Sequence, residues 1–422
     1  VVDLVIGNAR ISDGAPPTDI AIDGGKVVAI AAGLGDAREC IDARGRAVVP
    51  GFLEPHIHLE KALLEGRRPN VSGTLAEAIR VTSELKAQFT REDALERARQ
   101  TLEMTIAQGT VALRGQPDVD PIQGLLGVET LLELRQSYSD LVDLQIVAFP
   151  QEGILKAPTV RNLLIEAMRM GADVSGGCPY NEESWDDARR HVDIVFDIAE
   201  QFSRDVDFHA DFADDASDPR FAAAAYIAQK TIERGFEGRV SLGHVTSLGA
   251  LTAEEARPII EQLARARISI VTLPATDLYL GARKDPVNPR RALTPVKLLR
   301  QAGVNVAYSS NNIRNAFTPF GKGDPLQIGS LLAHVAQLGS PDDQAFVLAM
   351  ATTNAARAMG ISDRYGLEVG KQADLVVLDT ERVADALLDI PARLWVIKRG
   401  RITVLTRHDV EIRRHPPGGN HT

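Results

Sequence analysis

Cysteine is nearly absent from this chain. There are two in 422 residues, Cys40 and Cys178, far apart in sequence. Such usage excludes a disulfide framework and favours a reducing compartment, so a cytoplasmic location is expected. Long hydrophobic runs are missing as well. A membrane-spanning helix needs about 20 apolar residues in succession, and no segment comes close. The opening residues, Val1-Val2-Asp3-Leu4-Val5-Ile6, have no basic stretch and no small-residue cleavage site, so no signal peptide is expected. Positive charge is in deficit, with 47 Lys and Arg against 57 Asp and Glu and a net charge of −10. A duplex-binding protein presents a basic face. Neither nucleic acid nor membrane is therefore an expected partner. No Walker-type or dinucleotide glycine pattern follows a strand, and Gly51, Gly176 and Gly177 read as residues that ease tight strand-to-loop turns.

What is present is ample apolar material, 44% of the chain, enough for a large buried core. The first 50 residues read as short strands, Val1–Ile6, Ile20–Ile22 and Val27–Ile30, with Asp23-Gly24-Gly25 as a hairpin turn. From about Ala47 the pattern changes to short apolar runs alternating with helical segments. Eight runs qualify as strands: Ala47–Leu53, Thr110–Arg114, Asp143–Phe149, Ala172–Gly176, Asp205–Phe208, Arg239–Gly243, Ile268–Leu273 and Val304–Tyr308. Between them, Thr90–Gln108, Thr159–Met170 and Glu182–Phe202 show helical spacing, and Asp324–Leu338 and Asp342–Met359 follow. Eight buried-type strands with helical crossovers predict a parallel sheet and a closed (β/α)8 TIM-like barrel, in which active residues sit at strand C-terminal ends. Strand signals return at Ala373–Leu378 and Leu394–Val404. Residues 1–49 and 364–412 are thus expected to form one small β domain, a β-sandwich, around a barrel of residues 50–363. The segment 413–422, rich in Pro, Gly and polar residues, is expected to be a disordered tail.

The strongest local signal is Pro50-Gly51-Phe52-Leu53-Glu54-Pro55-His56-Ile57-His58. In extended backbone, residues two apart point the same way, so both imidazoles can reach one ion. His209 ends the fifth strand candidate and His244 the sixth. Four of nine histidines thus fall at strand C-terminal ends. The other five, His191, His334, His408, His415 and His421, lie on helices or in the terminal region and are given no role.

The segments PGFLEPHIHLEK (50–61), DLQIVAFPQEGIL (143–155), GADV (171–174), DFHADFADD (207–215), RVSLGH (239–244), VNVAYSSNNIRNAFTPFG (304–321) and VGKQADLVVL (369–378) resemble the amidohydrolase superfamily, in the branch of cytosine deaminase and N-isopropylammelide isopropylaminohydrolase. The resemblance covers most of the chain. It implies one divalent metal, zinc or iron, on His56, His58 and His209, with His244 polarising the substrate and Gln151 hydrogen-bonding its ring or amide. Dinuclear relatives use a carbamylated lysine at the fourth strand, and Ala172–Pro179 contains none. Lys61, Gln116 and Asn312 stand at positions expected to contact substrate.

Two departures stand out. The family ends its eighth strand with an Asp that ligates the metal and accepts a proton. Here that residue is Asn311, whose amide can ligate but cannot act as a base. Cytosine deaminase has a Glu three residues after the fifth-strand His, and here that position is Phe212. Asp211, the carboxylate nearest His209 in sequence, is the candidate replacement base. Three readings follow. The first is a metal-dependent hydrolase cleaving a C–N bond of a small polar heterocycle, self-associating through its outer helices. The second is hydrolysis of an amide or N-alkyl substituent without ring deamination. The third is a catalytically impaired homologue that only binds its ligand.

Overall fold

A computed structural model describes residues 1–413. Residues 414–422, nearly all of the segment expected to be disordered, lie outside the described residues.

Eight strands form one parallel sheet in the order of the chain. They are β6 (Phe52–Ile57), β7 (Thr110–Gly115), β8 (Asp143–Ala148), β9 (Val174–Gly177), β10 (Asp205–Ala210), β11 (Val240–His244), β12 (Ser269–Thr272) and β13 (Asn305–Tyr308). Their side chains are almost all buried, because helices cover the outer face while the barrel interior fills the inner one. Seven of the eight expected strands are present with ends displaced by no more than two residues, and the first is divided as described below. The helix expected over Thr90–Gln108 runs Arg91–Ala107, with the Thr90 side chain accepting from the Asp93 amide at 3.2 Å as its N-cap.

The barrel closes between its last and first strands. Ile57 bridges Asn311 in parallel, the His58 amide donates to Asn311 O at 2.9 Å, and the Asn311 amide donates to His56 O at 3.2 Å. Glu54, fully buried, accepts from the Ser310 amide at 2.8 Å and from the hydroxyls of Ser309 and Ser310. The seam of the barrel is therefore built from the backbone of the same residues whose side chains form the candidate site.

Before and after the barrel lie two four-stranded sheets. One holds β1 (Val2–Ala9), β2 (Thr18–Asp23), β3 (Lys26–Ala31) and β4 (Ala37–Asp42). The other holds β5 (Val48–Pro50), β14 (Leu375–Leu378), β15 (Arg393–Lys398) and β16 (Arg401–Leu405). Leu4, Ile6, Ile20 and Ile22 from the first pack against Leu375, Val377 and Ile397 from the second, so the two chain ends share one sandwich core.

Ala47–Leu53, expected as a single strand, is two. Val48–Pro50 pairs with β14 in the sandwich, and the barrel begins at Phe52. The chain crosses between the two at Gly51, where a Cβ would lie 2.3 Å from Val111 Cγ1. Gly176 and Gly177 serve the same purpose within the barrel. A Cβ on Gly176 would meet Ala148 O at 2.5 Å, and one on Gly177 would meet Phe208 Cδ1 at 2.4 Å. None of the three has positive φ. Close approach, and not turn formation as expected, is what requires glycine there.

Candidate metal centre

His56 and His58 leave the end of β6 on one side of the backbone, and His209 rises beside them from β10. The His56 Nε2 and His209 Nε2 atoms are 2.9 Å apart, and His58 Nε2 is 3.2 Å from His209 Nε2. One ligand atom from each of the three lies within 4.8 Å of the others. All three rings are buried. Burial, reinforced by neighbouring positive groups, holds each of them well below the usual imidazole range. They are neutral at neutral pH, each with one bare nitrogen lone pair.

The surrounding shell decides which nitrogen is bare. His58 Nδ1 lies 2.8 Å from Gln116 O, an acceptor only, so Nδ1 carries the hydrogen and Nε2 faces the cluster as a lone pair. Behind His56 stands Asp207, 3.8 Å from its Nδ1. Asp207 is anchored by Arg114 Nη1 at 3.0 Å, Ser241 Oγ at 2.6 Å and Gln116 Nε2 at 3.1 Å. Phe149 stacks on His209 with centroids 3.9 Å apart.

A divalent cation fits this donor set. Neutral imidazole nitrogens converge on one point without enough hydrogens to bond one another. Asn311 lines the same small cavity as His58 and His209, and its Oδ1 is buried with no hydrogen-bond partner among the described residues. An ion between these atoms would satisfy them together.

The cluster opens on a narrow cavity of about 10 Å³, room for about one water. Six residues singled out from the sequence line it: His58, His209, His244, Gln151, Asn311 and Asn312. Phe212 lines it too, with its ring stacked on His244 at 4.1 Å and 9°. Phe212 and Asp277 also border a wider outer cavity of about 330 Å³. Asn312 is fixed at both ends of its amide, donating to Thr276 Oγ1 at 3.4 Å and accepting from Asn315 Nδ2 at 2.8 Å. Gln151 sits on the loop after β8, held through Asn181 Nδ2 on its carbonyl. Glu182 accepts from the amides of Ile154 and Leu155 and pairs with His191 Nδ1 at 2.7 Å. His191, given no role from sequence, thus braces that loop.

Three expected site residues are elsewhere. Lys61 was expected at the substrate, but its Nζ is buried 2.5 Å from Asp118 Oδ1. Asp118 also holds Lys86 Nζ at 2.7 Å, as do Asp120 at 2.7 Å and Glu152 at 2.8 Å. This is a buried charge network beside the site, with Lys61 Nζ 5.4 Å above the Phe149 ring that supports His209. Gln116, also expected at the substrate, lies behind His56 and His58 as described.

Asp211, the candidate base, does not line the cavity. β10 ends at Ala210, and Asp211 turns to φ 55°. Its two carboxylate oxygens accept from the amides of Ala223, at 2.7 Å, and Ala224, at 3.0 Å, at the start of the helix Ala224–Glu233. Burial raises its pKa to about 6, against the opposing pull of those amides. It serves as an N-terminal cap. Asp211→Asn replaces one acceptor by an amide donor that faces backbone N–H groups. We expect it to lower stability by about 0.5–2 kcal/mol and to leave kcat near wild type. Denaturation midpoints and turnover, measured together, check this. Lost turnover at unchanged stability would return Asp211 to the chemistry.

The residue the sequence reading missed is Asp277, in the short helix Pro274–Leu280 after β12. Its Oδ1 is 2.7 Å from His244 Nδ1, and both residues are buried. Burial raises the Asp277 pKa, while the His244 ring opposes that rise. The available signal was a carboxylate just past a barrel strand's C-terminal end.

Comparison with known proteins covers nearly the whole chain. The model of the amidohydrolase family matches residues 39–404. N-isopropylammelide isopropyl amidohydrolase of Pseudomonas sp. (strain ADP) is 31% identical over 412 residues, 95% of this chain and 97% of that protein. Pterin deaminase of Rhizobium rhizogenes is 29% identical over 364 residues, 86% of this chain and 81% of that one. Among solved structures, 5-methylcytosine deaminase from Klebsiella pneumoniae liganded with 5-fluorocytosine matches with a TM-score of 0.91 and 34% identity, covering 98% of this chain and 100% of that one.

Proposed function

The chain belongs to the amidohydrolase family, and from that premise we propose that it hydrolyses a C–N bond of a small polar heterocycle of the pyrimidine or triazine type. In this reading His56, His58 and His209 hold one divalent metal, zinc or iron, with Asn311 Oδ1 as a fourth, uncharged ligand. The observation that carries it is the cluster of three neutral imidazoles, with the buried, partnerless amide oxygen of Asn311 lining the same cavity. When bound, such a metal supplies a Lewis acid and lowers the pKa of a water.

The chain's own residues supply the rest. Gln151 and Asn312 line the cavity, and an amide can both donate to and accept from a ring edge. Asn312 is already oriented by Thr276 and Asn315, so its geometry is set before substrate arrives. Phe212 and Phe317 form apolar walls that exclude water. The inner cavity of about 10 Å³ is too small for a ring. Phe212 borders both cavities and stands between the inner one and the wider outer one.

Phe212 also favours a second reading within the same class. It places no proton donor where ring deamination would use one. Hydrolysis of an amide or an N-alkyl substituent makes less demand on that position. A cytoplasmic, self-associating protein belongs to this proposal, and no helix among the described residues is long and apolar enough to cross a membrane.

The test is a panel of aminopyrimidines, pterins, cyclic amides and N-alkylaminotriazines offered to the metal-loaded full chain. Ammonia release supports the first reading, and alkylamine or carboxylate release the second. Gln151→Ala is expected to raise KM about 10-fold, the equivalent of one net hydrogen bond of about 1.4 kcal/mol. No C–N hydrolysis anywhere on the panel by fully metal-loaded protein would overturn the proposal in favour of a barrel that only binds.

A further inference from the structure

We infer that Asp277 is a positioning residue that makes His244 the proton acceptor of this site, taking over the duty of the carboxylate that Asn311 lacks. The inference rests on the hydrolase reading above and deepens it.

The inner cavity has no carboxylate in its lining. Asn311 is an amide, Phe212 is apolar, and Asp211 is spent on backbone amides. Asp277 is the carboxylate one residue removed, directly behind His244. Its Oδ2 accepts from the Leu273 amide at 3.3 Å, which leaves Oδ1 for His244 Nδ1 at 2.7 Å. A carboxylate accepts, so Nδ1 carries the hydrogen and Nε2 carries the lone pair. Nε2 has no hydrogen-bond partner among the described residues, and His244 lines the cavity. Its ring centroid lies 5.5 Å from that of His209 and 6.0 Å from that of His56, within one water of the cluster.

The ring is locked from other directions too. His244 and Val245 both take left-handed backbone, at φ 72° and 58°. That conformation is costly for a β-branched valine, on the order of 1–3 kcal/mol. Thr294 Oγ1 holds the His244 carbonyl at 2.5 Å, and the Val245 amide donates to Ala210 O at 3.0 Å. The flat stack of Phe212 fixes the ring plane. A strained turn, a buried carboxylate and a stacked aromatic all act on one imidazole whose free nitrogen faces the cavity. A core histidine with no task would need none of them.

The step balances without any further reactant. The attacking water gives a proton to His244 Nε2 as its oxygen bonds to the substrate carbon, and the C=O or C=N π pair of that carbon moves onto the oxygen or ring nitrogen. Asp277 stabilises the imidazolium through Nδ1–H and stays ionised. That pair then returns to restore the double bond, the C–N bond breaks with its electron pair leaving on the nitrogen, Nε2–H passes to that nitrogen, and His244 is neutral again. One water is consumed, and amine and carbonyl products leave.

The test uses the full chain labelled with 15N-histidine, in wild type, Asp277→Asn and Asp277→Glu, with His244→Gln to assign the resonance. Wild type is expected to show His244 as the Nδ1–H tautomer. Asp277→Asn, which presents an N–H to Nδ1, is expected to switch it to Nε2–H. On the substrate found above, Asp277→Asn should lower kcat by about 10²–10⁴-fold, with KM within about threefold and metal content unchanged. Asp277→Glu should retain the tautomer and part of the rate. A merely structural Asp277 would lower stability without switching the tautomer. If wild type carries Nε2–H, or Asp277→Asn keeps its kcat, the inference is wrong. If wild type turns over nothing yet shows the Asp277-dependent Nδ1–H tautomer, it is the substrate reading that has failed and the positioning role stands.

Discussion

His56→Ala should abolish hydrolysis, with a loss of more than about 10³-fold, because a Lewis acid supplies several kcal/mol of transition-state stabilisation and each 1.36 kcal/mol is tenfold. His56 is one of the three clustered imidazoles, with its Nε2 2.9 Å from that of His209 and Asp207 behind its Nδ1. Its removal leaves two imidazoles and a neutral amide, too few donors for the ion. The variant should still fold. Its backbone bonds at the barrel seam do not involve the ring. A thermal scan separates the two effects. Adding zinc should raise the melting temperature of wild type, since a ligand at 100 times its Kd contributes about 2.7 kcal/mol, and should not raise that of His56→Ala. A variant that binds zinc as wild type does, and still hydrolyses, would place the metal elsewhere.

Asn311→Asp should act in the opposite direction, and in two opposed ways. With metal bound, a carboxylate replaces a neutral ligand and adds a proton acceptor at the reacting water, so hydrolysis should rise by about 10²-fold. Metal retention against a chelator should lengthen as well, since charge on the ligand set strengthens the hold on a divalent ion. Without metal, the same change buries an uncompensated carboxylate beside neutral imidazoles. The metal-free variant should then be less stable than metal-free wild type. Stability with and without zinc, alongside kcat, resolves both signs. An unchanged kcat would mean that this site has shifted its base fully onto His244, and the Asp277→Asn variant should then show the larger loss.

The barrel was legible because its strands are buried on both faces and therefore read as uninterrupted apolar runs, with helices of recognisable spacing between them. The same property hid the boundary at Gly51. Val48-Val49-Pro50 and Phe52-Leu53 are equally apolar, and only the contact with Val111 shows that the chain changes sheets there. β4 escaped notice for the opposite reason: Ala37–Asp42 is an edge strand with mostly polar, exposed residues. In the site, His56, His58, His209 and His244 declared themselves by their places at strand ends. Nearness in sequence was misleading for the residues beside them. Asp211 would share the face of His209 had β10 continued, but the strand stops at Ala210 and the left-handed turn sends the carboxylate to a helix. Lys61 follows the His-x-His pair yet is taken by Asp118, 57 residues away. Asp277 meets His244 across 33 residues, a pairing made by two neighbouring strands of the barrel and by no local pattern.

Elemental analysis of the full chain, purified without chelator, tests the central claim most directly. The arrangement of His56, His58, His209 and Asn311 predicts about one divalent ion per chain, zinc or iron. No bound metal, and none retained after zinc, iron or manganese is added, would contradict it and leave a barrel that has kept its histidines without the chemistry they are arranged to support.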